Sequence, residues 1–219
     1  MFNLARPSNG ASAADETEVR PGLRKMIEGL QDQPAFLLGP RMEVLAGNEL
    51  AWALLADFPA RDPGDRNLLR WIFTEPGVRD LYLDWETIAS EMVGVLQLES
   101  SAHPKDAAIA ALAGELATVS SEFATWWARP NQQGRTSGRK RFAHPVAGRI
   151  TIDWEAFTVP DNSTQTLFIY SATDSPSAES LRLLATWRAT ALASASDEVS
   201  ADNDASLEAD DPTQQREAR

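Results

Sequence analysis

The sequence predicts an α+β fold, a five-stranded antiparallel sheet with flanking helices, on three observations. The apolar period changes twice along the chain: two short strand-like runs come first, then a long helical middle, then runs of period two after Gly134. Gly and Pro punctuate the strand-like runs at hairpin spacing. Hydrophobic residues make up 43% of the chain and include seven Trp, enough for a sizeable core.

Pro21 opens a first helix, "PGLRKMIEGL", with Leu23, Met26, Ile27 and Leu30 on one stripe. Two strands follow, Ala35–Leu38 and Met42–Ala46, around a Gly39-Pro40 turn. Asn48 is a candidate cap for the run "ELAWALLADF", which is apolar almost all round and so predicts a buried helix. In the middle, "RNLLRWIF" groups Leu68, Leu69, Ile72 and Phe73. "DWETIASEMVGVLQLES" takes Asp84 as its cap and aligns Trp85, Ile88, Ala89, Met92, Val95 and Leu96. "PKDAAIAALAGELA" aligns Ile109, Leu112 and Leu116, and "SSEFATWWAR" is capped by Ser120 or Ser121. Three strands then come from "RKRFAH", "RITIDWEAF" and "QTLFIYSA", with Ile150, Ile152 and Trp154 on one face and Thr151, Asp153 and Glu155 on the other. Ser177 is the expected cap of a last helix, "AESLRLLATWRATAL".

Composition divides the chain into a disordered tail over residues 1–19, a domain over residues 20–193 and an acidic disordered tail over residues 194–219. The net charge is −12, and half of it sits between Asp197 and Arg219. That balance argues against a broad phosphate-binding surface. There is no Cys, so disulfides, thiol nucleophiles and thiolate metal sites are excluded. With no signal-like or membrane-length apolar run, the expectation is a soluble cytoplasmic protein without membrane contact.

The chemistry-bearing inventory is thin. His103 and His144 are the only histidines, each followed by Pro, and no zinc, P-loop or nucleophile-elbow motif is present. The reading is therefore no enzyme, no catalytic residue, no metal and no cofactor. The helices around Ser101–Pro104 lack the tight turn of a helix-turn-helix. The second of them, from Asp106 to Ala117, carries no Arg, Asn or Gln to read bases, so no direct DNA contact is expected from it.

"GRKRFAHPVAGRITIDWE" is basic within an acidic chain. On a strand, Arg139 and Arg141 share one face and Lys140 takes the other. Cross-strand pairing with Asp153 and Glu155 neutralises the run at roughly 0.2–1 kcal/mol per pair, with an anion contact as the alternative. The aromatic residues, among them Trp52, Phe58, Phe73, Trp85, Phe123 and Trp126, form either a filled core or the lining of a hollow one.

Six collinear blocks carry a resemblance over about residues 19–190: "VRPGLRKMIEGL", "PAFLLGPRMEVLAGNELAWALLADF", "DRNLLRWIFTEPGVRDLYLDWE", "GELATVSSEFATWWAR", "SGRKRFAHPVAGRITIDWEAF" and "SPSAESLRLL". Together they resemble the ligand-binding domain of MmyB-like transcription regulators of the XRE family. The resemblance implies a PAS-like sensory domain able to hold a fatty-acid-like or other apolar small molecule, and it favours the hollow core. The implied pocket lining is Trp52, Leu55, Phe73, Trp85, Ile88, Met92, Phe123 and Trp126, with Asn48, Arg139 or His144 for a polar head group.

Three departures stand out. The family's N-terminal helix-turn-helix is not among the residues before Val19, Gly47 stands where an aromatic is usual, and Pro130 stands where a His is common. A sensor without a DNA-reading half would act through a partner, as a homodimer or as a heterodimer with a full-length regulator. A ligand-free dimerisation module and a fragment of a full-length regulator are the alternatives.

Overall fold

The structure is a computed structural model that describes residues 17–129, 135–160 and 162–209. Its strands are β1 (Ala35–Leu38), β2 (Val44–Gly47), β3 (Ser137–His144), β4 (Gly148–Val159) and β5 (Asn162–Ala172). They form one antiparallel sheet in the order β2-β1-β5-β4-β3. The helices are α1 (Pro21–Glu28), α2 (Glu49–Leu54), α3 (Leu68–Thr74), α4 (Val78–Leu81), α5 (Trp85–Ala102), α6 (Ala107–Val119), α7 (Ser121–Trp127) and α8 (Ser175–Ala209). This is the PAS-like α+β arrangement that the sequence predicts.

The sheet separates two apolar layers. Phe36, Phe142, Ile152, Trp154, Phe168 and Tyr170 join the main core with the helices of the middle. On the other face Ala35, Leu37, Val159 and Leu167 pack on Ile27 of α1. The strict alternation of β4, with Ile150, Ile152 and Trp154 buried and Asp153 and Glu155 exposed, is what assigns its two sides.

Several boundaries differ from the sequence reading, each for a local reason. The run from Glu49 stops at Leu54 instead of Phe58: Leu55 leaves helical geometry with φ −106° and ψ −80°, and Phe58 opens a separate short 3-10 turn through Pro59. Met42 belongs to the turn rather than to β2: its φ of 65° is left-handed, and its N–H closes back on the Gly39 carbonyl at 3.1 Å. Asp84 makes no capping bond to α5, because its carboxylate is taken by the guanidinium of Arg141 at 2.7 Å. Ser120, not Ser121, caps α7, accepting from the Phe123 N–H at 3.1 Å. Asp174 caps α8, accepting from the Ser177 N–H at 2.8 Å. The Ser177 hydroxyl instead accepts from the Thr151 N–H at 2.9 Å, which tacks the helix to β4.

Helix α8 also runs past Ala193, where composition predicts a disordered tail. Ala191, Ala193 and Ala195 favour helix, and no Pro follows in the sequence before Pro212. Of the N-terminal tail only residues 17–19 are described, and Pro130 lies outside the described residues.

Candidate functional site

Of the residues proposed to line a hollow core, Phe73, Trp85, Phe123 and Trp126 come together and touch one another, while Trp52 stands against Phe58 at 5.9 Å. Phe73 of α3 stands edge-on to Trp85 of α5 at 5.7 Å and to Phe123 of α7 at 5.2 Å. Trp126 lies 6.1 Å from Phe73 and 5.9 Å from Trp85. The Arg79 guanidinium covers the outer face of Trp85 at 3.8 Å, and the Trp85 N–H donates to the Ile72 carbonyl at 3.3 Å. Ile88 and Met92 are buried beside them, and half-buried Leu55 packs on the same core from the end of α2. Edge-to-face rings at these separations attract, so the cluster holds α3, α5 and α7 together.

The three head-group candidates are each engaged by the protein. The Asn48 side-chain oxygen accepts from the N–H groups of Ala51 at 2.9 Å and Ala35 at 3.1 Å. Its amide nitrogen donates to the carbonyls of Leu30 at 2.6 Å and Gln33 at 2.7 Å. That is every hydrogen bond an asparagine side chain can make. Arg139 is exposed and paired with Asp153 across the β3–β4 hairpin at 2.8 Å, the neutralisation expected of the basic run. Arg141 pairs with Asp84 rather than with Glu155, because its cross-strand neighbour is Thr151.

His144 is buried at the end of β3. Its Nδ1 accepts from the N–H groups of Val146 and Ala147, which places the proton on Nε2, and Nε2 donates to the Ala53 carbonyl at 3.0 Å. Burial lowers its pKa despite the Ala53 bond, so the neutral ring is the folded form. A depressed histidine adds stability above its unfolded pKa of about 6.5, and that stability is lost as pH falls through the folded value. The urea midpoint should therefore drop between pH 7 and pH 5, and His144→Gln should flatten the drop.

Lys140 is the least expected residue. It lies on the inner face of β3, 3% exposed, and its ammonium donates to the Tyr170 hydroxyl at 2.8 Å. The rings of Tyr170 and Trp154 lie 5.0 Å and 5.3 Å from it. Among the described residues no carboxylate forms an ion pair with it; Glu91, the acidic group that acts on it from α5, is paired with Arg135 at 3.1 Å. Burial brings its pKa down to about 8.

A cleft of about 690 Å³ lies between α1, β2, α2 and α8. Its floor is Val44, Ala46, Gly47, Leu50, Trp52 and Phe58, and its far wall is Ala185, Ala189 and Leu192 of α8. Of the sequence candidates, Asn48 and Trp52 border this cleft. One side of the space is set by α8, which Arg188 holds over α2 by bridging Glu49 at 2.7 Å and Asp57 at 2.8 Å. Arg24, Glu28 and Arg66 stand at the rim. Arg66 donates to the carbonyls of Arg61 and Pro59, and among the described residues neither arginine pairs with a carboxylate. Glu28 and Glu49 line the cleft as well, Glu49 being taken by Arg188, so an apolar floor is bordered by two arginines and two carboxylates.

Sequence reasoning passed over these arginines; Ala185 and Ala189 at helical i, i+4 spacing, followed by Leu192, were the available signal. A second, shallower groove of about 520 Å³ lies on the other side of the sheet, between Leu23 and Met26 of α1 and Phe157, Val159 and Leu167. Among the described residues no three His, Cys, Asp or Glu side chains are grouped to hold a metal, and no helix is long and apolar enough to cross a membrane.

None of the curated proteins compared with the chain matches it. A family match covers residues 19–184, from the start of α1 through the first turns of α8, and so takes in the whole sheet, the aromatic cluster and most of the cleft. The chain belongs to the family of the MmyB-like transcription regulator ligand binding domain.

Proposed function

We propose that this chain is the ligand-sensing part of a transcriptional regulator and that it binds an apolar molecule with an acidic head, of the fatty-acid kind, in the cleft between β2, α2 and α8. The observation that carries this reading is the cleft itself: about 690 Å³, floored by aliphatic and aromatic side chains, with Arg24 and Arg66 at its rim. Volumes of roughly 300–1,000 Å³ are those of small-molecule sites. The family is one of regulator ligand-binding domains, not of enzymes. The ligand acts by population shift. One wall of the cleft is α8, so an occupant favours one seating of that helix, and the seating alters association with a partner in the cytoplasm. The partner is a second copy or a full-length regulator that makes the DNA contacts.

Native mass spectrometry of the protein purified from a heterologous host, with added myristate where the host supplies nothing, tests this. One bound acid per chain is expected, and Ala189→Trp, which fills the cleft from α8, should abolish it while the far-ultraviolet circular dichroism is unchanged. An apo mass even with excess myristate would count against a sensor of this class. The second reading, a ligand-free interaction module, would then gain. It has in its favour the exposed Met26 and Phe157, each 51% exposed, beside the outer groove.

A further inference from the structure

We infer that Gly47 is a specificity-determining residue of the cleft: by letting the Trp52 indole lie against the β2 backbone, it sets how long an acyl chain the cleft admits. This rests on the cleft being the ligand site. A Cβ built on Gly47 would stand 2.3 Å from Cη2, 2.5 Å from Cζ2 and 2.9 Å from Cζ3 of Trp52. Such distances do not occur between real atoms, so the ring occupies the volume that any side chain at position 47 would fill. Backbone conformation does not call for glycine here, since Gly148 is the glycine with positive φ among the described residues.

The core bounds the ring on one side. The indole sits edge-on to Phe58 at 5.9 Å, and Phe58 is fully buried and packed on Trp71 at 5.8 Å. The β2 backbone closes the opposite side. The open side is the cleft, whose floor both Gly47 and Trp52 form. A methyl group at position 47 therefore drives the indole into the cleft and shortens it from the floor, leaving the rim arginines where they are. The consequence is a selection by chain length without a change in head-group recognition.

The test is titration calorimetry of the full chain with octanoate, laurate, myristate and palmitate. Wild type, Gly47→Ala and the double variant Gly47→Ala/Trp52→Ala are compared. Wild-type affinity should climb with chain length. Gly47→Ala should weaken the longer acids by about fourfold for each methylene excluded, with octanoate affected least. Removing the indole in the double variant should restore their binding. If the wild type binds none of the four acids, the reading of the cleft fails and the inference with it. If it binds them and Gly47→Ala keeps the same chain-length profile, the inference alone fails. Should Gly47→Ala not fold, Trp52→Phe tests the same point from the other side. The smaller ring should raise the affinity for palmitate relative to laurate, and an unchanged ratio overturns the proposal.

Discussion

Replacing Lys140 by Met together with Tyr170 by Phe should raise the unfolding free energy at pH 7 by about 3 kcal/mol. The expectation follows from burial. An ammonium with a pKa of about 8 inside the protein, against 10.5 outside, carries a desolvation cost of roughly 2.5 pKa steps at about 1.4 kcal/mol each. One hydroxyl and two aromatic faces offset only part of what water supplied. Both substitutions are needed, since Met alone would leave the buried Tyr170 hydroxyl without its partner.

The pH dependence gives a sharper signature. A lysine whose folded pKa is depressed is charged in both states below pH 8, where the cost is complete. Between about pH 8 and 10.5 the unfolded chain keeps a proton that the folded protein has released, so stability rises with pH. Urea midpoints measured from pH 7 to pH 9.5 should climb for the wild type and stay level for the double variant. Above pH 10 the tyrosines act in the opposite direction, because burial raises the pKa values of both Tyr82 and Tyr170. A wild-type curve that is flat from pH 7 to pH 9.5 would mean that the ammonium is solvated or has an anionic neighbour.

Asn48→Ala should cost about 3 kcal/mol or more. The side chain ties three segments with four hydrogen bonds: it caps α2, holds the Ala35 N–H at the start of β1, and binds the carbonyls of Leu30 and Gln33 in the α1–β1 connection. Each bond contributes about 0.5–1.5 kcal/mol, and the buried N–H groups of Ala35 and Ala51 left behind add to the loss. Asn48→Asp keeps the cap but turns a buried carboxylate oxygen onto the two carbonyls to which the amide donated, so it should destabilise at least as much as the alanine. Urea unfolding of the two variants measures this. A loss of ligand affinity with unchanged stability in either one would return Asn48 to the head-group role proposed from the sequence.

Much of the fold was legible because its signals are local. The alternation of Ile150, Ile152 and Trp154, the Pro21 start and the capping role of Asn48 each follow from residues within a few positions of one another. The errors arose where a distant group competed for a side chain. Asp84 and Ser177 read as caps, but Arg141, 57 residues away in the chain, takes the first, and the Thr151 N–H takes the second. The site was less legible for the same reason. Helical stripes identify Phe73, Trp85, Phe123 and Trp126 as inward-facing, but periodicity does not say whether inward-facing rings meet or stand apart. The cleft is made by four elements that are distant in the chain. Its dimensions depend on Gly47 and on the Arg188 bridge, and neither carries a local sign of that role. Lys140 was placed on the correct face of β3, opposite Arg139 and Arg141; that this face is buried depends on helices from the middle of the chain.

The most direct measurement is photoaffinity labelling with a diazirine-bearing fatty acid, followed by peptide mapping of the labelled residues. Labels should fall on the floor and wall of the cleft, at Leu50, Trp52 and the α8 segment from Ala185 to Leu192, and unlabelled myristate should compete them away. Labelling concentrated on Phe73, Trp85 and Trp126 would contradict this assignment and show that the aromatic cluster opens to admit the ligand.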